Sequence, residues 1–97
     1  MLLGNKIKSL RDEQGILQRQ VAAYLEIDTP MFSKIERGDR RAKRSQVIQM
    51  SRYFKVDEKD MLTLWLADKI LKDLDGEDEL KITAIETAKS ELMDVNR

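Results

Sequence analysis

"GILQRQVAAYLEIDTPMFSKIERGDRR", residues 15–41, contains two short amphipathic patterns that decide the fold. Val21 and Leu25 mark the apolar stripe of the first pattern, and Phe32 and Ile35 mark that of the second. About three or four residues separate the two patterns, which is too tight a turn for antiparallel neighbours. Helices joined in this way cross at roughly 90–120°. The stretch therefore predicts two short helices that meet at a steep angle and share a core.

The second of these helices has clear start and stop signals and a basic loop attached to its end. Asp28 or Thr29 can cap it, and Pro30 fits its first turn, where the missing N–H costs nothing. Gly38 is expected to end it. Residues 39–44 then place four cations in six positions. A helix anchored in the core thus leads directly into a positively charged loop.

Further helical patterns lie on both sides of this stretch. The first is expected over about 3–14, a fourth over about 45–54, and a fifth begins after a cap at Asp57 and closes at Gly76. Residues 77–95 have the spacing of an amphipathic sixth helix. These patterns predict an all-α protein.

The composition fits one small helical domain and argues against an enzyme. The chain has 97 residues, 41% of them hydrophobic, with a single proline and four glycines. It has no cysteine and no histidine, which removes thiolate metal sites, disulfides and the commonest general base. We therefore expect neither catalysis, nor a cofactor, nor a bound metal. No segment has the pattern of a signal peptide or a membrane span, so a cytoplasmic protein with no membrane contact is expected.

The net charge of zero conceals two unlike halves. Residues 1–56 hold twelve Lys and Arg against six Asp and Glu, whereas residues 57–97 hold six against twelve. A basic first half favours a polyanionic partner, and the acidic second half favours a basic protein or simple solvation.

Several features of the central stretch occur together in one known family. They are Gly15 before the second helix, Gln18 at its start, the Val21-Ala22 pair, Leu25 and Ile27 around the turn, and Ser33, Ile35, Glu36 and Gly38 in the third helix. In these features the chain resembles the Cro-like and lambda-repressor-like helix-turn-helix proteins, also called the xenobiotic-response-element (XRE) family. The resemblance implies a five-helix DNA-binding domain over residues 1–74, with its helix-turn-helix at 18–37. An acidic linker and an amphipathic C-terminal helix would then occupy residues 75–97.

The resemblance also implies roles for individual side chains. The N-terminal half of the third helix would enter the major groove, with Thr29, Pro30, Ser33 and Lys34 as base-reading candidates. The phosphate-binding candidates are Gln18, Arg37, Arg40, Arg41, Lys43 and Arg44. Glu36 would turn inward and pair with Arg11 of the first helix.

Two residues depart from the family pattern, and the basic loop also lacks the family's usual proline near residue 42. Leu17 occupies a place where a capping Ser or Thr is usual, and Glu26 stands where the turn often has a glycine. Neither change removes the motif.

The fifth helix is apolar on more than one stripe, which is more than a core of this size needs. Trp65, Leu66, Ile70 and Leu74 are the candidates for contact with a second copy of the chain. Two copies on half-sites about one turn apart, ~34 Å, would add affinity and selectivity that one short helix lacks. The alternative for Trp65 is burial beneath helices one and four. The last helix is expected either to extend the dimer or to bind another protein.

Together these features predict a dimeric regulator of transcription, a repressor or autoregulator, that binds a near-palindromic DNA duplex. An antitoxin or a controller of a restriction-modification operon would have the same fold. The alternative from a different class is a protein-interaction module that has lost DNA binding, although such a module has no use for the clustered cations of the loop.

Overall fold

The computed structural model describes residues 1–95, and over this range the protein has six helices and no strand. The helices are α1 (Leu2–Gln14), α2 (Gln18–Tyr24), α3 (Thr29–Arg37), α4 (Arg44–Phe54), α5 (Glu58–Asp73) and α6 (Lys81–Val95). The all-α prediction is confirmed. The bounds of α1, α3 and α4 lie within about a residue of those expected from the sequence. α5 ends at Asp73, before the expected stop at Gly76, and α6 begins at Lys81 and not at residue 77.

The signals that predicted the ends of α3 act as expected. The Asp28 carboxylate accepts a hydrogen bond from the backbone N–H of Met31 at 2.7 Å, which satisfies one of the free donors of the first turn. At the other end Gly38 has a φ of 82°, a left-handed conformation that a side chain would disfavour. The basic loop therefore leaves α3 at a defined angle.

Helices α1 to α5 surround one hydrophobic core. α1 packs against α3 and α5, α2 packs against α3 and α4, and α4 packs against α5. The largest of the fully buried side chains are Ile7, Val21, Phe32, Val47, Met50, Ser51, Phe54 and Met61. Ala42, in the loop after α3, is also buried, so this loop is part of the folded body.

Gly4 allows α1 to approach α3 closely. A Cβ atom at this position would lie 2.1 Å from the carbonyl oxygen of Glu36, which is closer than any van der Waals contact permits. The two helices therefore meet backbone to backbone, and α1 supports the C-terminal half of α3 from behind.

The start of α1 is capped by a side chain distant in sequence. The Asp68 carboxylate of α5 accepts hydrogen bonds from the backbone N–H groups of Leu2 at 2.9 Å and Leu3 at 3.0 Å. Asp68 is only 4% exposed. Its negative charge at a helix N-terminus is favourable both as a hydrogen-bond acceptor and against the helix dipole.

The turn between α2 and α3 contains a residue in a strained conformation. Glu26, which replaces the family's frequent glycine, has a φ of 58°. This left-handed region is unfavourable for any residue with a Cβ.

Replacing Glu26 by glycine is expected to raise the free energy of unfolding by about 0.5–1 kcal/mol, since the strain relieved exceeds the flexibility added to the unfolded chain. Urea unfolding followed by circular dichroism measures it. Glu26→Ala is the control and should give no stabilisation, because alanine keeps the Cβ. Equal stabilisation by both variants would show that the charge, and not the backbone, matters.

The end of α5 and the whole of α6 present apolar side chains to solvent. Leu66 is 51% exposed and Ile70 is 53% exposed. On α6 every residue from 82 to 94 is exposed, including Ile82, Leu92 and Met93. The division of the chain into residues 1–74 and 75–97 stays a prediction, and residues 96 and 97 lie outside the described residues.

Candidate nucleic-acid interface

The N-terminal half of α3 forms an exposed ridge on one side of the domain. Phe32 is fully buried and Ile35 is 5% exposed, so these two side chains hold the helix on the core. Thr29, Pro30 and Lys34 are exposed on the other side of α3. The ridge therefore offers a hydroxyl, an apolar ring and an ammonium group to whatever approaches it.

Ser33, the fourth base-reading candidate, is already hydrogen-bonded within the helix. It is half-buried, and its Oγ accepts a hydrogen bond from Nη1 of Arg37 at 2.9 Å. Arg37 also donates from Nε to the Asp39 carboxylate at 3.0 Å, in an exposed ion pair. A partner that contacts Ser33 or Arg37 would compete with these intramolecular bonds.

Behind the ridge, Arg11 and Glu36 form the ion pair that the family resemblance implies. Arg11 donates from Nε and Nη2 to the two Glu36 oxygens, both at 2.7 Å, and from Nη1 to the Ile16 carbonyl at 3.1 Å. The two side chains are 12% and 7% exposed. Such a bidentate pair fixes α3 against α1 in both distance and orientation.

The Glu36 carboxylate raises the pKa of Arg11. The main cause is the hydrogen bonding that the carboxylate accepts from the guanidinium, while burial opposes the shift and Coulomb attraction adds to it. Because the folded-state pKa is raised, the contribution of the charged guanidinium to stability is fully present below the unfolded-state pKa. That contribution is lost only as the pH rises through the folded-state pKa, in strongly alkaline solution.

Gln18, a phosphate-binding candidate, belongs to the same cluster. Its Nε2 donates to Oε1 of Glu36 at 3.1 Å, which orients the side chain at the start of α2. An amide nitrogen has two N–H groups, so one donor is left for a phosphate oxygen.

Leu17, the other departure from the family pattern, is compensated by a neighbour. Its backbone N–H donates to Oε1 of Gln20 at 2.7 Å, which is the reverse half of a capping box. The start of α2 is therefore stabilised without a hydroxyl at the cap position.

The loop after α3 places its cations on two sides. The side chains of Arg40, Lys43 and Arg44 are exposed, and Lys43 is the cap residue of α4, its N–H donating to Oε1 of Gln46 at 2.8 Å. Arg41 turns towards α5 instead: its guanidinium carbon lies 4.1 Å from the centre of the Trp65 ring. Trp65 in turn donates from Nε1 to the Ala42 carbonyl at 2.8 Å.

Two of the predicted site residues are engaged within the chain: Ser33 accepts from Arg37, and Arg41 donates to the backbone carbonyl of Trp65. Trp65, a candidate for contact with a second copy, is bound to the loop and lies on a different side of α5 from the exposed Leu66 and Ile70. No periodicity in the sequence signals that Trp65 meets Ala42, because the contact joins two elements that pack only in the folded chain.

A sequence model described as helix-turn-helix matches residues 7–61, which include the whole of α2, α3 and α4 and the loop between α3 and α4. The chain belongs to the helix-turn-helix family. It is of the Cro/C1, XRE-like type, so the predicted family is confirmed. Neither a comparison with curated proteins nor one with solved structures produced a match.

Membership of the helix-turn-helix family indicates DNA as a partner of this protein. Over residues 1–95 no cluster of acidic side chains is arranged to hold a metal ion. Nor does any helix in that range have the length and apolar character needed to cross a membrane.

Proposed function

We propose that this helix-turn-helix protein is a transcriptional regulator that binds a near-palindromic DNA duplex as a homodimer. The observation that carries the proposal is the exposed N-terminal half of α3, anchored by Phe32 and Ile35 and followed at once by exposed cations. The width of the major groove admits one helix, and a helix presented in this way can reach base edges with its outer side chains.

Base reading would rest on Thr29 and Lys34. A hydroxyl bonds to several bases, and a lysine donates to the guanine O6 and N7 acceptors. Pro30 offers apolar contact with a thymine methyl group. Ser33 contributes only if Arg37 releases it. Arg40, Lys43 and Arg44, with Gln18, would bind the phosphates on both sides of the groove and set the register.

The dimer would form on the exposed apolar stripe of α5. Leu66 and Ile70 are four residues apart and lie along one side of α5, and Leu74, which is half-buried, follows directly after the end of this helix. Leu71, 49% exposed, extends this apolar surface. Burial in a second copy would remove these side chains from water and place two α3 ridges on neighbouring half-sites.

A second candidate role has support from α6. This helix exposes Ile82, Leu92 and Met93 along with acidic side chains, which is typical of a segment that binds another protein. A protein of this fold that acts as an antitoxin would use such a segment to bind its toxin. Alternatively, α6 would extend the dimer interface.

The experiment that tests the main proposal is selection of duplexes from a random DNA library by the purified protein, followed by titration of the selected duplex over a salt series. We expect a two-fold symmetric site. If each subunit neutralises about four phosphates, the logarithmic salt slope should be near −7. Absence of enrichment, with weak binding that vanishes at moderate salt, would overturn the proposal and favour a protein-interaction module.

Variants of two residues distinguish phosphate binding from recognition of the bases. Lys43→Gln should weaken binding to all duplexes and flatten the salt slope of the dimer by roughly 2, because two phosphate contacts are lost. Thr29→Ala should instead leave the slope unchanged and relax preference at particular base pairs. Lys59→Gln is the matched control, since this exposed lysine lies beyond the far end of α4 and should bind as wild type. Equal loss of specificity in Lys43→Gln and Thr29→Ala would contradict the assignment of phosphate binding to Lys43 and base recognition to Thr29.

A further inference from the structure

The loop between α3 and α4 is fixed at three places. At its start, the backbone N–H of Arg40 donates to the Lys34 carbonyl at 3.2 Å, after the left-handed turn at Gly38. At its end, the N–H of Lys43 is held by Gln46 of α4. Its middle is held from α5, by Trp65. The loop that carries the exposed cations therefore depends on a helix that contributes no residue to the α3 face.

Trp65 contacts the middle of the loop in three ways. Its indole Nε1 donates to the Ala42 carbonyl at 2.8 Å, and its own carbonyl accepts from Nη1 of Arg41 at 3.0 Å. The Arg41 guanidinium carbon lies 4.1 Å from the centre of the indole ring, a distance typical of a cation–π contact. Together these contacts fix both a side chain and a backbone carbonyl of the loop.

Ala42 shows that the clamped part of the loop belongs to the core. It is 4% exposed, whereas Arg40 and Lys43 on either side have exposed side chains. The hydrogen bond from the Trp65 indole to the Ala42 carbonyl holds this residue against the core. The exposed side chains of Arg40 and Lys43 are therefore also held in position.

We propose that Trp65 is a positioning residue for DNA binding, and that Arg41 acts with it as a clamp on the loop and not as a phosphate ligand. The proposal rests on the proposed function, since the cations that are positioned are those expected to bind phosphate. A loop held in its binding conformation before the partner arrives loses less conformational entropy on binding, so affinity rises without any added contact.

The test compares Trp65→Phe and Arg41→Gln, singly and together, on the selected duplex. Trp65→Phe keeps an aromatic ring but loses the N–H, and we expect roughly tenfold weaker binding with an unchanged salt slope, equivalent to about 1.4 kcal/mol. Arg41→Gln should weaken binding similarly, again without flattening the slope, and the double variant should be little worse than either single one. Arg41→Lys should not restore binding. A planar guanidinium can lie over the indole ring and donate to the Trp65 carbonyl at the same time, and an ammonium group cannot reproduce both contacts.

Tyr24→Phe, which alters an exposed aromatic residue on α2, is the control and should bind as wild type. Two results would overturn the proposal. One is wild-type affinity for Trp65→Phe. The other is a salt slope for Arg41→Gln that falls as much as that of Lys43→Gln, which would make Arg41 a phosphate ligand.

A measurement on the free protein separates this proposal from the proposed function. Trp65 is the only tryptophan of the chain, so its indole N–H resonance and its fluorescence report on the clamp directly. Arg41→Gln, a change at an exposed side chain, should speed hydrogen exchange of the indole N–H and shift the emission to longer wavelength. If the wild type binds no duplex but this coupling is present, the proposed function fails and the clamp stands. Unchanged exchange and emission in Arg41→Gln would refute the clamp whether or not DNA is bound.

Discussion

Replacement of Glu36 by alanine is expected to lower the free energy of unfolding by about 3–5 kcal/mol, because it leaves the largely buried Arg11 guanidinium, 12% exposed, without its partner. The two side chains are 12% and 7% exposed and share two bonds of 2.7 Å. Gln18 would lose its acceptor in the same variant. Chemical denaturation in the absence of DNA measures the change, and a midpoint equal to that of the wild type would refute it.

The chain contains a matched control for this experiment. Arg37 and Asp39 form an ion pair of the same kind, with Nε and a carboxylate oxygen 3.0 Å apart, but the side chains are 58% and 61% exposed. Asp39→Ala should therefore change stability by no more than about 1 kcal/mol. The double variant Arg11→Met with Glu36→Met should recover part of the loss, since two apolar side chains leave no charge unpaired. Similar losses for Asp39→Ala and Glu36→Ala would show that burial is not the cause.

The second large effect is expected at Asp68. In Asp68→Ala the N–H of Leu3 is left buried without an acceptor, and the favourable charge at the start of α1 is removed. An unsatisfied buried donor costs about 1–3 kcal/mol, and the lost interaction with the helix dipole adds up to about 1–2 kcal/mol. We therefore expect thermal unfolding at a clearly lower midpoint, with the free energy of unfolding reduced by roughly 2–4 kcal/mol.

Asp57→Ala is the control for Asp68→Ala, because the Asp57 carboxylate also accepts from two backbone N–H groups, but at the exposed start of α5. Its loss should cost about 1 kcal/mol, a usual value for an exposed cap. Asp68→Asn should lie between the wild type and Asp68→Ala, since an amide keeps a single acceptor oxygen. Equal destabilisation of Asp68→Ala and Asp57→Ala would show that the buried cap at Asp68 stabilises the protein no more than an exposed cap does.

Local patterns in the sequence predict most of the fold. The positions of α1 to α4, the cap at Asp28 and the stop at Gly38 follow from spacing, a side-chain oxygen and a missing Cβ. Each is decided within about four residues, which is the range over which helical hydrogen bonds and caps act. Glu26 shows the limit of such patterns, because its positive φ is imposed by the packing of α2 against α3 and not by its own preference.

Two sets of contacts between distant elements could not be predicted from the spacing of residues in the sequence. The contacts of Asp68 with Leu2 and Leu3, and of Trp65 with Arg41 and Ala42, join residues that are far apart in the chain. The family resemblance identifies the Arg11–Glu36 pair but says nothing of these two. Arg41 is indistinguishable in sequence from its neighbour Arg40, yet it is the Arg41 guanidinium that lies over the Trp65 ring.

The sequence by itself determined the helical class, the packing of α2 against α3, and the attachment of a basic loop to α3. It did so because amphipathic periodicity and a short turn leave few ways to bury Val21, Phe32 and Ile35 together. The tertiary structure decided which cation of the loop contacts Trp65, and which side chain caps α1. These outcomes depend on how α5 packs across the chain, and packing between distant elements is set by the shape of the whole core and not by any local pattern.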